Sequence, residues 1–131
     1  MEINSVCSES VSFSFDQVTQ FAELSGDKNP IHINKDFASK TPFKKCIVHG
    51  LFVASAFTKI MATRFPGEGA VLLEQKLKFI NPVYPGINYK AELKVFDKRK
   101  TSQGKIIYTL NTRLLNSEAA VLIDGSATIL F

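Results

Sequence analysis

At 131 residues, with 45% hydrophobic side chains, eleven Phe and no Trp, the chain is sized for one domain and is not an intrinsically disordered protein. Sixteen basic and twelve acidic residues give a formal charge of +4; the local groups at Lys44-Lys45 and Lys98-Arg99-Lys100 are too short to read as a nucleic-acid arm. The longest apolar run, near residues 47–57, contains His49 and Ser55 and is too short to cross a bilayer.

The first residues, Met-Glu-Ile-Asn-Ser, show no basic stretch followed by an apolar run, so no signal peptide is expected. Cys7 and Cys46 form no C-x-x-C pair; two free thiols in a reducing cytoplasm are the simplest expectation. Residues 14–65 read as helix and loop. Phe15, Val18, Phe21, Ala22 and Ser25 share one helical face over 15–25, with Leu24 at its margin. Ser14 and Gln17 form a capping-box pattern, and Gly26 supplies a left-handed C-terminal cap. Residues 27–33 read as a loop, because Pro30 denies helix to Asn29. Asn34 caps a short turn through Lys35–Ser39, and Pro42 stops it.

The second main helix runs over 50–64. It is apolar almost all round for two turns and so belongs inside the fold. Pro66-Gly67-Glu68-Gly69 ends it. Alternation then takes over: Leu73, Gln75, Leu77 and Phe79 against Glu74, Lys76 and Lys78, and Ile87 to Val95 against intervening polar residues. Turns at Ser102-Gln103-Gly104 and Asn116-Ser117-Glu118 separate two further strands, whose apolar stretches imply that both faces are covered. One strand after the helix and three in sequence predict an α+β fold, with a curved antiparallel sheet around the helix. Pairing two protomers edge to edge would protect an open strand.

Chemistry concentrates between the two helices. Gly26 and Pro30 bend the segment that holds Asp27, Asn29 and His32, so a carboxylate and an imidazole can converge on one water. The same residues are also ordinary turn formers, and His32 also reads as a structural histidine. His49-Gly50 opens the buried helix, where free backbone N–H groups attract developing negative charge and glycine permits close approach. Equally, Gly50 reads as a packing glycine and His49 as a cap for a chain turn. Ser55 and Thr58 place hydroxyls on that helix; each reads first as a bond back to the preceding turn, and second as a ligand to substrate or site. No zinc spacing, nucleophile elbow or phosphate-binding glycine motif is present.

Phe21-Ala-Glu-Leu-Ser-Gly-Asp-Lys-Asn-Pro-Ile-His32 followed by Ala38 resembles the hydratase-2 motif of MaoC-like (R)-specific 2-enoyl-CoA hydratases. Ile47-Val-His-Gly-Leu51, Pro66-Gly-Glu-Gly69, Leu73–Phe79 and Pro82-Val-Tyr-Pro-Gly86 are similar to that family in the same register. The resemblance runs from about residue 10 to the end. It implies a hot-dog fold, a single domain over 1–131, and a homodimer or dimer of dimers. It implies Asp27 and His32 as the catalytic pair, Asn29 as a loop-holding residue, and the Gly50 N–H as the donor to the thioester carbonyl. The family's supporting helix serine corresponds in register to Thr58; Ser55 falls one turn early. The implied reaction is hydration of trans-2-enoyl-CoA to (3R)-hydroxyacyl-CoA, without metal or organic cofactor, nucleic acid or membrane. Phe52, Phe57, Phe65 and Phe79 are candidates to line the acyl pocket, and Lys44, Lys45 and Lys98 to meet CoA phosphates. Alternatives are a 3-hydroxyacyl dehydratase acting on acyl carrier protein, an acyl-CoA thioesterase, and a non-catalytic acyl-CoA-binding protein.

Overall fold

The computed structural model describes residues 1–131 and begins with a strand that the alternation pattern did not announce, β1 (Val6–Val11). Its side chains are at most half-buried, so no strong apolar period marks it. The helical region follows as expected. In α1 (Phe15–Ser25), the Ser14 hydroxyl accepts from the Gln17 N–H at 3.1 Å, and the Gln17 side chain accepts from the Ser14 N–H at 2.9 Å. Gly26 closes the helix at φ 78°, a left-handed conformation that costs a glycine little.

The expected loop over 27–33 is corrected in its second half. Pro30–Ile33 forms one helical turn, α2, with Pro30 at its first position. There the missing N–H would have had no intrahelical partner, so proline starts the turn instead of preventing it. The Asn29 side chain caps α2 by accepting from the Ile31 N–H at 3.2 Å. Asn34 caps α3 (Lys35–Ser39) in the same way through the Phe37 N–H.

The long helix α4 spans Gly50–Thr63 and is buried along one face through Val53, Ala54, Ala56, Phe57, Ile60 and Met61. The expectation of burial all round is corrected: Leu51 is 69% exposed in the single chain, and Ser55 is exposed too. Four strands follow: β2 (Val71–Phe79), β3 (Tyr89–Lys100), β4 (Ile106–Leu115) and β5 (Val121–Leu130). They join β1 in a five-stranded antiparallel sheet of order β1-β3-β4-β5-β2. Bulges in the β2–β5, β3–β4 and β4–β5 pairings increase local twist. The inner face contributes Ala91, Leu93 and Val95, Leu110 and Leu114, and Ile123, Ala127 and Ile129 to one core cluster with α4. The outer faces of β4 and β5 are half-exposed, not covered as their composition suggested.

The edge strand β2 differs from the rest. Val71, Leu72, Leu73, Phe79 and Ile80 are each at least 43% exposed, and β2 pairs only with β5. No helix is long and apolar enough to cross a membrane.

Candidate active site

The segment between α1 and α2 is fastened to the segment before α4. The Ile47 N–H donates to the Ile31 carbonyl at 3.2 Å. His32 Nδ1 bonds the Ile47 carbonyl at 2.8 Å, and His49 Nε2 bonds the Asp27 carbonyl at 2.9 Å. Carbonyl oxygens only accept, so His32 carries its proton on Nδ1 and His49 on Nε2. His32 Nε2 is thereby left as a lone pair, and it faces Asp27.

Asp27 Oδ2 lies 4.0 Å from His32 Nε2. The separation is too long for a direct hydrogen bond and suits a water that donates to both the carboxylate and the Nε2 lone pair. The two partners sit in different surroundings. His32 is 8% exposed, whereas the Asp27 side chain is half-exposed. Burial, the largest cause, holds the His32 pKa below the ordinary histidine value; the Ile47 carbonyl opposes it, the neighbouring His49 adds to it, and the Asp27 carboxylate opposes it. The free imidazole base therefore persists at neutral pH. Asp27 is held by its own turn: its N–H donates to Ser25 Oγ at 3.1 Å, and Oδ1 accepts from the Asn29 N–H at 3.2 Å.

His49 stacks directly on His32, with ring centroids 3.8 Å apart and planes 25° apart. Asp27, His32 and His49 together resemble a possible cation site, with donor atoms within 4.8 Å of one another. Stacked imidazoles, however, aim their in-plane lone pairs side by side and not at one point. One nitrogen on each ring is already committed to a carbonyl. The arrangement fits an acid–base pair with a supporting ring better than a tetrahedral metal centre.

Gly50 is the first residue of α4, and no side chain caps that end. The first N–H groups of a helix lack intrahelical partners and carry the positive end of its dipole. A Cβ built on Gly50 would come within 2.5 Å of Phe79 Cε1, so the Phe79 ring lies over this glycine. The helix hydroxyls behave differently. Ser55 Oγ donates to the Phe52 carbonyl at 2.5 Å and Thr58 Oγ1 to the Ser55 carbonyl at 2.9 Å, and neither bonds Asp27 or His32. Of the four phenylalanines, Phe57 and Phe65 are core residues, while Phe52 packs on Phe13 and Phe21. The sequence offers His49 only as a residue at the helix start or a cap; its link to Asp27 is not legible there, because the partner is a main-chain carbonyl far away in sequence. The only signal was its place beside Gly50.

Among the cations, Lys98 pairs with Glu2 at 3.2 Å. Lys44 and Lys45 join Lys35 around a cleft of about 350 Å³ that also touches Phe15, Cys46 and Pro85 and has no acidic residue in its wall. A second cleft of about 310 Å³, beside α4, includes Ser55 and Phe52 but neither Asp27 nor His32.

The description "MaoC like domain" matches residues 4–116. The chain belongs to the MaoC-like family. Its MaoC-like sequence is 36% identical to an (R)-specific enoyl-CoA hydratase of Aeromonas caviae, over 98% of this chain and 94% of that protein. It is 35% identical to a mitochondrial 3-hydroxyacyl-[acyl-carrier-protein] dehydratase of Solanum lycopersicum, over 98% of this chain and 76% of that one. The solved (R)-hydratase from A. caviae superposes with a TM-score of 0.92, covering 98% of this chain and 96% of the other. An unliganded R-hydratase from Pseudomonas aeruginosa gives 0.87 at 32% identity, covering 98% and 81%. The hot-dog fold expected of the MaoC-like family is thus the fold observed: a curved antiparallel sheet packed on a central helix.

Proposed function

We propose that this chain is a hydro-lyase that adds water across the double bond of trans-2-enoyl-CoA to give (3R)-hydroxyacyl-CoA. The observation that carries the reading is the 4.0 Å gap between Asp27 Oδ2 and His32 Nε2, with the imidazole tautomer set by the Ile47 carbonyl. The thioester oxygen accepts from the Gly50 N–H at the uncapped start of α4, which draws electron density from the enoyl system and makes C3 electrophilic. Asp27 and His32 hold a water and remove its proton. The oxygen bonds to C3, the C2–C3 double bond opens, and a proton is returned to C2. Asp27 and His32 act as one coupled unit in that exchange. Asn29 fixes the turn that presents Asp27. The chain's own groups supply the whole acid–base step, so the reading uses no cofactor.

The one core cluster supports reading residues 1–131 as a single domain. The exposed apolar edge of β2 supports a homodimer, in which a second copy covers Val71, Leu72, Leu73 and Ile80. Because Phe79 of that strand lies over Gly50, such an interface would also enclose the acyl chain. The carrier phosphates are assigned to the cleft of Lys35, Lys44 and Lys45. Two unpaired thiols suit a cytoplasmic setting.

The test is a crotonyl-CoA assay with chiral analysis of the product. Loss of enoyl absorbance without release of thiol, giving the (3R) alcohol, is expected; release of thiol would make the protein a thioesterase. Asp27→Asn and His32→Ala are expected to lower kcat by ~10²–10⁴-fold each while the fold persists. Normal turnover in either variant removes that residue from the mechanism. The similarity to the tomato protein favours one second reading, dehydration of 3-hydroxyacyl groups on acyl carrier protein at the same site. Kinetics with both carriers separate the two.

A further inference from the structure

The catalytic reading uses Asp27, His32 and Gly50 and leaves a second buried imidazole beside that of His32 without a task. His49 is 3% exposed, deeper than His32, and its Nδ1 has no hydrogen-bond partner. An unpaired buried acceptor is destabilising, a penalty that a phenylalanine of similar shape would avoid. The ring makes two contacts that a packing residue would not need. Its Nε2–H donates to the Asp27 carbonyl at 2.9 Å, and its face lies against the His32 ring at 3.8 Å. Behind it the Phe21 ring sits 4.8 Å away, and Phe21 in turn stacks on Phe52 at 4.9 Å with planes 7° apart. His49 is therefore a link in an aromatic column that runs from α4 and α1 to the ring of His32.

We infer that His49 is a positioning residue that sets the spacing of the acid–base pair, gripping the Asp27 main chain by its ring edge and backing His32 with its ring face. The inference rests on the catalytic reading of Asp27 and His32. His32 has two further restraints, the Ile47 carbonyl at Nδ1 and the turn of α2, whose Asn29 accepts from the His32 N–H at 3.0 Å and donates its own N–H to Asp27 Oδ1. Asn29 links the two through its main chain; His49 is the side chain that contacts both from outside that turn. Removing either contact lets the 4.0 Å gap vary, and a misplacement on the scale of 1 Å in such a site lowers turnover by up to about 10²-fold.

Two substitutions separate the contacts. His49→Phe keeps the ring face and removes the donor; His49→Gln keeps a donor and removes the face. Both are assayed with crotonyl-CoA for kcat and KM, for the pH profile of kcat/KM, and for folded fraction by circular dichroism. The expected result is a fall in kcat of roughly 10- to 100-fold in each, with KM changed less than about threefold and the fold retained. The groups facing His32 are the Asp27 carboxylate from the α1–α2 segment, the Ile47 carbonyl from the segment before α4, and His49 at the start of α4. With His49 replaced by Phe, the acid limb is expected to move to higher pH. Turnover within twofold of the parent in both variants overturns the inference, as does a loss that matches the loss of folded protein with an unmoved acid limb. Failure of both variants to fold assigns His49 to stability and also overturns it. If the parent protein itself does not hydrate crotonyl-CoA, the catalytic reading fails separately. The inference is then read from the nuclear magnetic resonance titration of His32 in the parent and in His49→Phe: a displaced titration supports it, and an unchanged one overturns it.

Discussion

Gly50→Ala separates two roles of one glycine. A methyl group at this position meets three atoms of the Phe79 ring, Cε1 at 2.5 Å, Cζ at 2.8 Å and Cδ1 at 3.0 Å. Contacts this short require movement, and overpacking of a rigid core costs typically ~1–3 kcal/mol. Here the obstacle is the end of a flexible side chain that is 52% exposed in the single chain, so the ring can turn aside and the cost falls near the lower limit. Gly50 begins α4 with a backbone that alanine adopts freely, and alanine's helix propensity offsets part of the strain by at most about 1 kcal/mol. The expected change in stability is therefore within about 1 kcal/mol. Turnover should respond much more. A methyl group and a displaced ring beside the N–H proposed to receive the thioester oxygen would disturb a contact of a kind whose loss lowers kcat by about 10²–10³-fold. The assay pairs chemical denaturation with crotonyl-CoA hydration, in Gly50→Ala and in Gly50→Ala/Phe79→Ala. Removing the ring should relieve the strain without restoring kcat. If the double variant regains normal turnover, the N–H is not the critical group and the effect of alanine was displacement of Phe79. If Gly50→Ala hydrates normally, the oxyanion assignment is refuted.

Four further outcomes are expected. Burial lowers the His32 pKa, so the neutral base persists below the ordinary histidine value and the acid limb of kcat/KM should fall below pH ~6.5. The same shift has a stability consequence: the unfolded chain binds a proton that the native chain does not, so stability should fall as pH drops from about 6.5 toward the lowered native pKa and then level off, a slope that His32→Phe removes. Ser55→Ala should leave kcat within about twofold, because Ser55 Oγ is engaged with the Phe52 carbonyl; a loss at the general acid–base scale of ~10²-fold would return that hydroxyl to the mechanism. Replacing Lys44 and Lys45 together with Ala should raise KM for acyl-CoA and flatten its dependence on salt, with kcat little changed; an unaltered KM would place the phosphates elsewhere.

Legibility followed the range of the interactions. The ends of α1 were readable because the Ser14–Gln17 box and Gly26 act within one turn. The alternating residues of β3 were readable because its inner face is buried at Tyr89, Ala91, Leu93 and Val95. β1 was not, since Val-Cys-Ser-Glu-Ser-Val is stabilised by pairing with residues 89–94, a partner that no local pattern reveals. Pro30 reads in sequence as a helix breaker, because its effect depends on whether it stands inside a helix or at its start. The exposure of Leu51 and of β2 went unseen for a similar reason: composition shows that a segment is apolar, not which molecule covers it. At the site, the bend around Asp27 and His32 was legible from Gly26 and Pro30. The part played by His49 was not, because it depends on a carbonyl and a ring face that residue types do not encode.

The three bonds that join residues 27–32 to residues 47–49 make the polar centre a clasp closed upon itself. The strands brace it from outside and contribute none of these bonds; from β2 the ring of Phe79 lies over Gly50. Inheritance can therefore act on the two parts separately. Sheet residues are free to drift wherever inner-face volume is kept, while the clasp must pass on as a unit.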